Sequence, residues 1–107
     1  MTLTPTQARD RLLTLQRELA TAIAANQAHR GDRITRFMLA GLTIQLRRWH
    51  RIVSDALAKP HKLEDVALFV GPNWRGSGIA DLIDQSERHR NAWACPVEED
   101  FSVGEAA

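Results

Sequence analysis

Leu12, Leu15, Leu19, Ala22 and Ile23 recur at steps of three and four residues through an Ala-rich stretch, the spacing that places side chains on one face of an α-helix. Upstream stands Thr4-Pro5-Thr6-Gln7, in which Thr can cap, Pro suits the first helical position and Gln sits where a capping box needs it. The pattern predicts one long amphipathic helix over 5–29, with Gly31 as a left-handed stop. Asp32 is then placed to cap a second helix. In it Ile34, Met38, Gly41, Leu42, Trp49, Ile52, Val53 and Ala56 lie along one side, the expected core side, until Pro60 ends the run.

The joint between these two segments is short, so they are expected to form an antiparallel hairpin, each arm about 36 to 40 Å long at 1.5 Å per residue. Leu63, Val66, Ala67 and Val70 carry a third, shorter helical pattern, although Val66 to Val70 also suits a brief buried strand. Residues 71–78, Gly-Pro-Asn-Trp-Arg-Gly-Ser-Gly, are a loop by composition. A fourth helix follows, with Ile79, Leu82, Ile83 and Ser86 inside, Asp81 and Asp84 near its positive end, Arg88 and Arg90 near its negative end, and Cys95-Pro96 as its stop. The expected fold is all-α: a small helical bundle built on a long antiparallel hairpin with shorter helices packed across it. Residues 1–96 form its single domain and 97–107, with four acids and no base, an acidic C-terminal tail.

Length narrows the possible functions. A chain of 107 residues supports one small core, burying roughly 60 to 70% of its unfolded surface, and leaves little room for a deep substrate cleft. No apolar run approaches the roughly 20 residues needed to span a bilayer. The N-terminus lacks a basic segment followed by an apolar one, and the lone Cys95 excludes an intramolecular disulfide, so a reducing cytoplasm is the expected setting.

Charge changes the picture most. Residues 1–62 carry 11 Lys/Arg against 4 Asp/Glu and residues 63–107 carry 3 against 9, so the net +1 conceals a basic half joined to an acidic half. On a helical wheel Arg33, Arg36, Arg47, Arg48 and Arg51 fall on the arc opposite Met38, Leu42, Trp49 and Val53, a stripe roughly 27 Å long that Lys59 and Lys62 extend. Five arginines without a lysine in this helix favour bidentate phosphate contacts. Phe37 and Ile44 share the basic arc, where they can stack on a base, cover a partner subunit, or touch another helix of the same chain. Trp74 and Arg75, on the glycine-flanked loop, are further candidates for contact with nucleic acid.

The stretch from Val70 to Ile83 resembles the pyrophosphate loop of the acetyl-CoA-dependent N-acetyltransferase superfamily, with Arg75, Gly78 and Ala80 matching its Arg-x-x-Gly-x-Ala core and Gly76 and Ile79 also typical. That resemblance covers about 15 residues and implies a strand before the loop and backbone amides that hold a cofactor's pyrophosphate. Over the whole chain, size, helicity and charge layout are similar to those of the small subunits of multi-subunit CRISPR effector complexes. This second resemblance implies a non-catalytic protein that binds the backbone of single-stranded RNA or DNA beside neighbouring copies and a backbone-forming subunit. A stand-alone helical regulator of phage or plasmid origin, docking on one host protein, fits the same charge split. His29, His50, His61, His89 and Cys95 do not group at metal-ligand spacing, so neither metal, cofactor nor catalytic centre is expected.

Overall fold

The computed structural model describes residues 3–94 and is all-α, with four helices and no strand among the described residues. They are α1 (Pro5–Ala28), α2 (Arg33–Ala58), α3 (Pro60–Val70) and α4 (Ile79–Ala94). The capping box forms as the sequence predicts: Thr4 Oγ1 accepts from the Gln7 amide at 3.1 Å, and the Thr4 amide donates to Gln7 Oε1 at 3.0 Å. At the far end Gly31 is not the stop. His29 turns extended (φ −66°, ψ 135°) and its amide closes on Asn26 O, so Ala28 is the last helical residue and Gly31 lies buried in the joint.

Asp32 caps α2, its Oδ1 accepting from the Thr35 amide at 2.6 Å. Hydrogen bonds from Gln16 Nε2 to Ser54 Oγ (2.9 Å) and from Asn26 Nδ2 to Thr43 Oγ1 (3.2 Å) pair rising numbers on α1 with falling numbers on α2. The hairpin is therefore antiparallel. Both α3 and α4 pack on both of its arms. Arg11 Nη1 donates to Ala67 O at 3.0 Å, tying α1 to α3. Leu12, Leu15, Leu19, Leu46, Val53, Leu63, Val70 and Ile79 are buried together in the core, each full burial contributing about 1.5 to 3 kcal/mol.

Two further expectations need correction. The buried side of α2 is Leu39, Leu42, Thr43, Leu46, Val53 and Ala56, whereas Ile34 is 75% exposed and Met38 and Ile52 are also exposed. The core arc is thus rotated by roughly 70° from the expected one at 100° per residue. The apolar residues of α2 cover more than half its circumference, and only the position of the neighbouring helices decides which of them water reaches. Likewise Val66 to Val70 is the end of a helix, so the strand implied by the acetyltransferase-like loop is absent from the described residues.

The loop 71–78 bends through Gly71 (φ 74°) and Gly78 (φ 80°), with Trp74 also at positive φ (58°). A bulky side chain is costly there, and what holds it is packing: the half-buried Trp74 ring lies against the core, and its carbonyl accepts from Ser77 Oγ at 3.1 Å and from the Ala80 amide at 3.3 Å. The expected helix stop at Cys95-Pro96 and the acidic tail lie outside the described residues.

Candidate nucleic-acid interface

All five α2 arginines, Arg33, Arg36, Arg47, Arg48 and Arg51, are exposed. None forms an ion pair among the described residues, where the pairs found are Lys59 to Asp55 at 3.1 Å and Lys62 to Asp55 at 3.2 Å. The two lysines that extend the stripe therefore share one carboxylate, and their hydrogen bonds hold Asp55 below the usual carboxylate range. The guanidiniums of α2 are not compensated in this way. They form two groups, Arg33/Arg36 near the helix start and Arg47/Arg48/Arg51 three turns on, separated by a charge-free stretch in which Ala40 and Gly41 are exposed and an added side-chain carbon at Gly41 would meet nothing within 4 Å.

Phe37 (77% exposed) and Ile44 (60%) stand beside that stretch and remain largely open to solvent. With Ile34 and Met38 they make the N-terminal half of α2 apolar on its outer side. Further along, Trp49 stacks with the exposed Phe69 of α3 at a centroid distance of 6.0 Å and an interplanar angle of 23°. Of the loop pair, Arg75 is exposed, while the Trp74 ring turns inward and its buried Nε1 has no hydrogen-bond partner among the described residues.

Sequence reasoning missed Asn26. It is buried, donates through Nδ2 to Thr43 Oγ1 (3.2 Å) and Ser86 Oγ (3.0 Å), and accepts through Oδ1 from Arg90 Nη1. One side chain thereby joins α1, α2 and α4, with Thr43 Oγ1 donating onward to Leu39 O at 2.7 Å. Asn26 lies on the same helical side as Leu12, Leu15, Leu19 and Ala22, a polar residue continuing an apolar stripe, and that was the available signal. Arg90 is drawn half-buried to this centre instead of serving the end of α4, which runs on to Ala94. No group of three or more metal-ligating side chains occurs among the described residues.

Comparison with known protein families, with curated proteins and with solved structures gives no match to this chain.

Proposed function

We propose that this protein is a non-catalytic, nucleic-acid-associated subunit that tracks a single-stranded phosphate backbone with the outer face of α2. The observation that carries this reading is the row of five exposed arginines without ion-pair partners among the described residues. Guanidiniums free of ion pairs on a helix offer planar, paired donors to phosphate oxygens, and the preformed fork loses less freedom for each hydrogen bond it makes. The small residues Ala40 and Gly41 keep the middle of the row low, and Phe37 at its edge offers a ring face to an unpaired base. Small subunits of CRISPR-type ribonucleoprotein complexes are the kind of protein this reading points to, with protein neighbours on the apolar residues Phe37 and Ile44.

Changing Arg47, Arg48 and Arg51 together to Glu tests it. Affinity for single-stranded RNA and DNA is expected to fall for every sequence tried, and the log-log salt slope to become shallower by about 0.7 for each phosphate no longer neutralised. An unchanged affinity and slope in this triple variant would remove α2 as the binding face.

A second reading, a helical protein-interaction module acting without nucleic acid, is favoured by the exposure of Ile34, Phe37, Met38 and Ile44 on one helix. Ile34→Ser with Met38→Ser, two exposed apolar positions given no part in phosphate or base contact, separates the two: it weakens partner or self-association seen by light scattering under the second reading, and leaves salt-dependent oligonucleotide binding in place under the first.

A further inference from the structure

At the bend of the hairpin a cavity of about 390 Å³ opens between the end of α1, the joint and the first half of α2. Arg30, Arg36, Arg47 and His29 are among its lining residues, and no Asp or Glu is. Ala40 and Ile44 give it an apolar floor. We infer that this cavity binds a phosphate monoester, either the phosphorylated end of a nucleic-acid strand or a free nucleotide. The inference rests on the proposed nucleic-acid function only for the first of these sources.

Of the neutral polar side chains in the lining, Asn26 and Thr43 are already engaged, and the exposed Gln27 is not. Both the amide nitrogen and the oxygen of Asn26 have partners, and Thr43 Oγ1 donates to Leu39 O. The donors left to meet a ligand are the Gln27 amide and three guanidiniums, and with no carboxylate in the lining that balance selects for anions. Two other charges lie close by: Asp32, which interacts with both His29 and Arg36 while capping α2, and Arg90, bound to Asn26. They are opposite in sign, so the three lining guanidiniums set the balance. A backbone diester carries one negative charge, whereas a monoester carries about −1.5 to −2 at neutral pH and three acceptor oxygens, the better match. The volume lies within the roughly 300 to 1,000 Å³ typical of small-molecule sites, larger than a lone phosphate requires and enough for the sugar or base on the apolar floor.

The test uses single-stranded oligonucleotides of one sequence with an internal fluorophore, ending in a 5′-phosphate, a 3′-phosphate or hydroxyls only, alongside calorimetric titration with adenosine monophosphate. The variants are Arg30→Ala, outside the helices, and Ala40→Glu, which sets a carboxylate on the floor. A phosphorylated end that binds about tenfold tighter than the hydroxyl form, with the gain lost in both variants, identifies a strand terminus as ligand. Equal oligonucleotide affinities with adenosine monophosphate bound by the unmodified protein and by neither variant identify a free nucleotide. Should hydroxyl-ended strands fail to bind at all while adenosine monophosphate binds in this manner, the α2 backbone-tracking role falls and the cavity stands. No discrimination between strand ends together with no adenosine monophosphate binding, or binding that both variants leave intact, overturns the inference.

Discussion

Where α3 crosses the hairpin, α1 and α2 are held by aliphatic side chains, Leu12, Leu15, Val53 and Ala56 with Leu63, Ala67 and Val70; at the bend the space between helices is taken by Asn26, Thr43 and Ser86. The first end is dry and depends on shape, so its stability grows with each methylene buried. The second depends on direction, because Asn26 is satisfied only if α1, α2 and α4 keep one mutual register. The polar end is also where Arg30, Arg36 and Arg47 surround the cavity. A buried network that fixes register beside a charged cavity holds the walls of that cavity in place, a service aliphatic packing alone performs less specifically.

The largest expected effect lies at the dry end. Leu15→Ala leaves a hole in a fully buried position and is expected to cost about 2 to 5 kcal/mol in urea unfolding, while oligonucleotide affinity of the folded fraction stays unchanged. A loss well under about 1 kcal/mol would show that this end is looser than its burial indicates. Next comes Asn26→Ala, which strands Thr43, Ser86 and Arg90 and should cost about 1 to 3 kcal/mol. The sharper form replaces the set by Asn26→Leu, Thr43→Val and Ser86→Ala: stability is expected to recover relative to the single variant, but adenosine monophosphate binding at the bend is not. Full recovery of both would mean the network has no role in shaping the cavity.

Trp74→Ala removes a half-buried ring from the core margin and should lower stability by roughly 1 to 2 kcal/mol with oligonucleotide binding intact. Binding abolished without a change in melting temperature would return Trp74 to the interface. The smallest effect is a pH dependence. Asp32 is held below the ordinary aspartate value of 3.8 chiefly by the Thr35 amide, and Asp55 by Lys59 and Lys62. Their contribution is fully present above 3.8, and is lost as pH falls through the lowered native values. Asp32→Asn keeps a capping oxygen that does not titrate, so the acid limb of a stability-against-pH curve should flatten while neutral-pH stability barely moves.

Much of the fold was legible because its signals are local. Thr4, Gln7, Asp32 and Pro60 act within one turn of their own positions, and the helix boundaries follow from them to within a residue or two. Gly31 misled because a helix can end equally well on an extended residue, and His29 does so. The arginines of α2 face outward, as charge on the arc opposite the apolar one predicts, and of the alternatives open for Phe37 and Ile44 the structure leaves both exposed. Trp74 does not face outward, because the same composition that marks a loop says nothing of whether its aromatic ring turns in or out.

The sequence by itself determined the two long helices of the hairpin, where they start, and that the second carries a basic face, since propensity, caps and periodicity are properties of neighbours along the chain. Only the tertiary structure decided which arc of α2 meets the core, that Asn26 is the joint of three helices, and that Arg30 from the bend converges with Arg36 and Arg47 on one cavity. A helical wheel orders residues around their own axis and carries no information about where the next axis lies. Burial, and with it the meeting of distant charges, is settled by that second axis.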